Sequence, residues 1–276
     1  MSKFFKNNVI EPKELLKNID NDLLRIIDCR WFIDDPNRGK NEYKTNHIPN
    51  AIFFDIENIS DDNNLLPHMI PSKRKFLKFL RNEGISKKNK VVIYDQNGFF
   101  CSARVWFTFF LFGFTKISIL NGGFNLWQDL KYIISNKKKC NFTTQSYDIK
   151  KKKNLVVDKE YVKKKMNDDK ILIIDARSKK RFMGLIPEPR DGLKRGNIRN
   201  SINIPYTEIV EKNGKILNPK KLQKMFEKKI NFSKIKEVIC SCGSGITACN
   251  IIFALKILGE KKVKLYDGSW AEWGKN

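Results

Sequence analysis

Long apolar runs are missing from this sequence. The longest stretch, around Phe107 to Phe114, is broken by Thr108 and Gly113 and falls short of the ~18 residues that a spanning helix needs. No membrane-spanning helix is expected. Histidine is nearly absent, at two residues of 276, so any proton-handling site has few candidates. Cysteine is sparse: the six, at 29, 101, 140, 240, 242 and 249, are spaced too irregularly for a disulfide framework or a set of zinc ligands. Neither metal nor organic cofactor is expected, and an intracellular chain would keep these residues as thiols. Acidic side chains are in deficit, 30 against 54 basic ones, a net charge of +24. The lysines recur along the whole chain, which argues for nonspecific polyanion adsorption at low salt and against a specific nucleic-acid partner. The start, MSKFFKNNVI, lacks the apolar core of a secretory signal; a cytoplasmic location is expected, with a mitochondrial presequence left open.

Packed cores are well provided for, with 41% apolar residues including 20 Phe and 5 Trp. The length suits two domains of about 100 to 150 residues. Self-comparison shows why. Ile26-Ile27-Asp28-Cys29-Arg30 matches Ile173-Ile174-Asp175-Ala176-Arg177 at an offset of 147. Val91 to Asp95 aligns with Val238 to Cys242, and Gly113 through Trp127 with Gly259 through Trp273. Ser72 and Asn218-Pro219 open matching helices. Each copy alternates short β-branched runs with helical patterns closed by Gly84, Gly113 or Gly259, the pattern of a parallel sheet with helices on both faces. The expected organisation is an α/β domain over 1–135, a solvated lysine-rich linker over 136–153, and a second α/β domain over 154–276.

Cys242-Gly243-Ser244-Gly245-Ile246-Thr247 lies between a strand, Glu237 to Ser241, and a helix beginning at Ala248. A strand-to-helix turn of this kind aims several backbone N–H groups and a helix N-terminus at one point, and the glycines let the backbone curl around the thiol. That cradle would lower the thiol pKa and hold an attached anion such as a persulfide. Cys240 and Cys249 read as packing residues. In the first copy the place of Cys242 is taken by Asp95.

These blocks, with Glu42-Tyr43, His47-Ile48-Pro49, Leu66-Pro67-His68-Met69, Arg104-Val105-Trp106, Glu188-Pro189-Arg190 and Tyr266 to Gly274, make the chain resemble the two-domain rhodaneses. Within them it is similar to the mercaptopyruvate sulfurtransferases. The resemblance implies two tandem rhodanese-like domains, the second catalytic and the first not. It implies a sulfurtransferase that moves sulfane sulfur from 3-mercaptopyruvate, through a persulfide on Cys242, to a thiol, thioredoxin or cyanide. Thiosulfate-specific relatives carry basic residues just after the cysteine, where this chain has Gly243 and Ser244. A thiosulfate-using rhodanese, or a relay of sulfur to tRNA thiolation or cofactor assembly, is the alternative. The related Cys-x5-Arg phosphatases need an arginine where Ala248 stands.

By the same resemblance Arg181 and Arg190 bind the substrate, whose carboxylate fits a guanidinium fork. The loop residues Gly243, Gly245, Ile246 and Thr247 complete the substrate cradle. His68 is expected to reach across the domain interface toward Ser244, backed by Glu57, as a relay for the proton that accompanies enolate formation. Glu57 departs from the Asp more usual there by one methylene. His47 reads as structural, and Asn197 takes the place of a histidine in the second copy.

Overall fold

The computed structural model describes residues 3–137 and 148–275. Ten strands, β1 (Val9–Ile10), β2 (Leu24–Asp28), β3 (Ala51–Phe53), β4 (Lys90–Tyr94), β5 (Ile117–Leu120), β6 (Val156–Val157), β7 (Ile171–Asp175), β8 (Ser201–Asn203), β9 (Glu237–Ser241) and β10 (Val263–Tyr266), form two sheets. Their orders are β1-β5-β4-β2-β3 and β6-β10-β9-β7-β8, parallel throughout. The duplicated sequence has folded into duplicated topology. Parallel strands need crossover connections, and the helices in those crossovers cover both faces of each sheet.

The period-two alternation of side chains divides each sheet between two cores. Val91 and Ile93 of β4, with Val238 and Cys240 of β9, join one apolar cluster that runs through both domains. Val92 and Tyr94 face a second cluster under the first domain, and Ile239 a third under the second. The helices Ser102–Leu111 and Ala248–Ile257 line the interface and are buried almost all round, hence their lack of a polar face. Phe253 packs edge-on to Trp106 at 4.9 Å, fastening one helix to the other. The Asp-x-Arg motif that ends β2 and β7 is structural in both copies. Arg30 and Arg177 fold back onto Asp28 and Asp175, at 2.8 and 2.6 Å, and lie over the rings of Phe124 and Trp270.

The expectation of a solvated linker needs correction over its described C-terminal part. Ile149 is 1% exposed within the interdomain core, the Lys152 N–H donates to the Leu111 carbonyl, and the Lys152 ammonium lies 3.4 Å from the centre of the Phe110 ring. A single apolar residue among lysines suffices to pin the segment, and a lysine stem can cover an aromatic face while keeping its charge near water. Cys140 lies outside the described residues. Among those described, no helix is long and apolar enough to cross a membrane, and no cluster of metal-ligating side chains occurs.

Candidate active site

Strand β9 ends at Ser241 and delivers Cys242 into the turn before the helix Ala248–Ile257. The Cys242 N–H donates to the Ser269 hydroxyl at 3.1 Å, and that hydroxyl donates to the Tyr266 carbonyl at 2.8 Å, so the end of β10 fixes the cysteine's backbone. The thiol residue is 2% exposed. The two glycines act differently. Gly245 has φ +75, the left-handed region that favours glycine, whereas Gly243 leaves room for the Arg181 guanidinium, whose movable Nη2 would stand 2.8 Å from a Cβ there.

The first domain contains a template of what this loop does. Asp95 closes β4 as Cys242 closes β9, and its carboxylate accepts the N–H groups of Asn97, Gly98, Phe100, Cys101 and Ser102 at 2.6 to 3.0 Å. The loop is an anion cradle filled by its own side chain. The equivalent donors in the second loop belong to Ser244, Gly245, Thr247, Ala248 and Cys249. Of these, only the Cys249 N–H has a partner among the described residues, the Ile246 carbonyl. Ile246 itself packs its side chain into the core.

The structure brings three of the expected residues into a line across the domain interface. Ser244 Oγ lies 2.9 Å from His68 Nδ1, and His68 Nε2 lies 2.9 Å from Glu57 Oε1. This pattern sets the tautomer: Nε2–H donates to the carboxylate, and Nδ1 accepts from the serine hydroxyl. Burial holds the His68 pKa below its ordinary value, with Arg190 and Arg104 acting in the same direction and Glu57 opposing. Glu57 is held below the usual carboxylate range, chiefly by the His68 hydrogen bond. The resting state is therefore a neutral imidazole backed by a carboxylate.

The two arginines are not equivalent. Arg181 is clamped to Glu188 through Nε and Nη2, at 3.3 and 2.5 Å, and Glu188 is also paired with Arg177 at 2.8 Å. Arg190 has no hydrogen bond or ion pair among the described residues. Burial lowers its pKa, with the neighbouring Arg181 charge acting in the same direction and Cys242, Glu57 and Glu188 acting against it. His47 is elsewhere, stacked on Tyr43 at 4.3 Å and bonded to that residue's carbonyl. Asn197, its counterpart, donates to the Phe182 carbonyl at the surface.

Sequence reasoning missed Trp31, whose indole N–H donates to Glu57 Oε1 at 2.7 Å and whose ring stands edge-on to His68. It assigned no role to Glu188, Arg104 or Asp267, although all three lie in quoted blocks. No local signal marks Trp31, because its contacts come from segments 26 and 37 residues away.

The family model for the rhodanese-like domain matches residues 11–130 and 158–276. The chain belongs to the rhodanese family. This rhodanese is 36% identical over 263 residues to the 3-mercaptopyruvate sulfurtransferase of Escherichia coli (strain K12), covering 94% of this chain and 92% of that one. It is 35% identical over 286 residues to thiosulfate/3-mercaptopyruvate sulfurtransferase 1, mitochondrial, of Arabidopsis thaliana, covering 96% of this chain and 75% of the relative. The crystal structure of SseA from Escherichia coli, described as a 3-mercaptopyruvate sulfotransferase, superposes with a TM-score of 0.85 at 32% identity, covering 95% and 98% of the two chains. The rhodanese fold, with its two tandem α/β domains, is that of the sequence reading.

Proposed function

We propose that this rhodanese is a sulfurtransferase that takes sulfur from 3-mercaptopyruvate and passes it on through a persulfide on Cys242. The observation that carries the reading is the Ser244–His68–Glu57 line, assembled from both domains beside a cysteine loop that has no basic side chain of its own. The Cys242 thiolate attacks the thiol sulfur of the donor. An S–S bond forms as the C–S bond breaks, and the electron pair leaves with the pyruvate enolate. The donor's thiol proton passes through Ser244 and neutral His68 to the enolate carbon, giving pyruvate, while Glu57 stabilises the transient imidazolium.

The free N–H groups of the loop hold the persulfide anion, as their equivalents hold the Asp95 carboxylate. Arg190, with no internal partner, takes the donor carboxylate; Arg181, steered by Glu188 and in close approach to Gly243, holds the keto end. An acceptor thiolate then attacks the outer sulfur, and Cys242 leaves as thiolate. Thioredoxin, another thiol or cyanide would serve, in the cytoplasm or in a mitochondrion. The deciding experiment is the mass of the purified protein after incubation with 3-mercaptopyruvate. One added sulfur on the Cys242 peptide, with pyruvate released, is expected, and both are lost in Cys242→Ser. Equal pyruvate turnover by Cys242→Ser would overturn the reading.

A further inference from the structure

The two loops of this molecule have the same build, and comparing them isolates what the cysteine loop has in addition. In each half, the residue after the strand β5 or β10 accepts a backbone N–H from the other domain. Asn121 Oδ1 accepts from Ile216 at 2.9 Å, and Asp267 Oδ2 accepts from Ile70 at 2.7 Å. The first acceptor is a neutral amide. The second is a carboxylate paired with Arg104 at 2.6 Å, and both partners are buried. With the helices Ser102–Leu111 and Ala248–Ile257 in register, the position equivalent to Arg104 in the second copy is Asn250, a neutral amide that donates to the Phe100 carbonyl at 3.2 Å. Beside Asn121 the ion pair across the interface, Lys215 to Glu11 at 2.7 Å, is partly open to solvent; among the described residues, the buried interdomain pair stands in the half that faces the cysteine.

Stability does not account for it, since a buried ion pair returns little more than the cost of desolvating it, and an apolar pair serves equally well. Its contacts point to another role. Arg104 Nη1 donates to the Gly245 carbonyl of the cysteine loop at 3.2 Å as well as to Asp267, and Nη2 donates to the backbone carbonyl of His68. His68 has φ +60, a left-handed conformation that costs energy for a residue with a side chain. Its carbonyl is held by Arg104, and the N–H two residues on is held by Asp267. One guanidinium fork therefore joins the backbone that carries the relay histidine to the backbone that carries Ser244. Gly245 fits the same arrangement: a Cβ there would lie 2.9 Å from the Asp267 carbonyl and 3.0 Å from Arg104 Nη1.

We infer that Arg104 and Asp267 are positioning residues that set His68 against Ser244 and thereby govern proton transfer at Cys242. The inference rests on the sulfurtransferase reading for its kinetic arm only. Its second arm is the titration of His68 itself. That ring faces Glu57 and Trp31 of its own domain, Ser244 and Arg190 of the other, and Arg104 beneath it. Burial is the main cause that keeps it neutral, and the two arginine charges add to it.

The test uses the full chain with isotope-labelled histidine, where two ring signals are expected and His47→Asn assigns them. Arg104→Met and Asp267→Asn should lower kcat for mercaptopyruvate about 10- to 100-fold with a smaller change in KM, as expected for a small misplacement of a proton-transfer pair. Arg104→Met should also move the His68 titration to higher pH. Arg104→Lys, which keeps the charge without the fork, should recover part of kcat and leave the titration near that of the wild type. Should Arg104→Met fail to fold, the Arg104→Lys and Asp267→Asn variants still decide the matter through kcat. Wild-type kcat in both Arg104→Lys and Asp267→Asn, or an unmoved His68 titration in folded Arg104→Met, would overturn the inference. Failure of the wild type to form a persulfide would count against the sulfurtransferase reading alone, because the titration arm needs no turnover.

Discussion

His68 and Ser244 are 176 residues apart in the chain and 2.9 Å apart in the fold, one from each domain. Neither domain holds a complete relay. Under the proposed mechanism the interface is part of the active site, and the consequences can be measured residue by residue.

Donor choice should follow the charge of the loop. With Gly243 and Ser244 neutral, kcat/KM for 3-mercaptopyruvate should exceed that for thiosulfate, a dianion that profits from nearby cations. Ser244→Lys adds such a cation and removes the hydroxyl bonded to His68. The ratio should move toward thiosulfate while mercaptopyruvate turnover drops, which two saturation curves per variant would show. A wild type that prefers thiosulfate would mean that these two positions do not set specificity.

The arginines should separate by what each leaves behind. Arg190→Ala removes an unpaired guanidinium and should cut kcat/KM for mercaptopyruvate by ~10²-fold or more, the scale of a lost charged hydrogen-bond pair, with little change in thermal midpoint. Arg181→Ala should cost comparable activity. It leaves the buried Glu188 still paired with Arg177, so the stability loss should stay at about 1 kcal/mol. If both variants behave like Lys151→Ala at the surface, neither arginine binds substrate.

The pH profile should answer to Glu57. His68 is lowered from 6.5 mainly by burial, and Glu57 opposes that shift. Removing the opposing charge in Glu57→Gln lets His68 fall further, so the acid limb of kcat/KM should move to lower pH, with the plateau reduced about three- to tenfold. Stability carries the same sign. The unfolded chain binds the proton first, so the folded state loses stability as pH falls from 6.5 through the lowered value. A limb displaced upward would contradict the arrangement.

Asp95 offers a prediction about stability without chemistry. Asp95→Ala strips five N–H donors of their carboxylate in a buried loop and should cost on the order of 3 kcal/mol, read from chemical denaturation. At 25 °C persulfide formation on Cys242 should persist, since Asp95 serves only the first domain's cradle. Loss of persulfide in a folded Asp95→Ala protein would tie the two loops together more closely than their contacts indicate.

The duplicated architecture was readable because it is written locally. The strand-ending Asp-x-Arg of both copies, the side-chain caps Ser72 and Asn218, and the turn glycines Gly84, Gly113 and Gly259 depend on neighbours a few residues away. The cysteine loop was readable for the same reason. The linker was misread where Ile149 is buried, because charge count dominates composition while a single apolar side chain decides docking.

Sequence by itself determined the two parallel sheets, the place of Cys242 at a strand-to-helix turn, and the set of chemical groups available to it. Tertiary structure decided how those groups are partnered. It separated Arg190, left without a partner, from Arg181, held by Glu188; it added Trp31 behind Glu57; and it joined Arg104 to Asp267 across the interface. Periodicity and capping are short-range effects that the chain carries in order. Charge pairing and desolvation depend on which surfaces are pressed together, and that is settled only when the two domains close on one another.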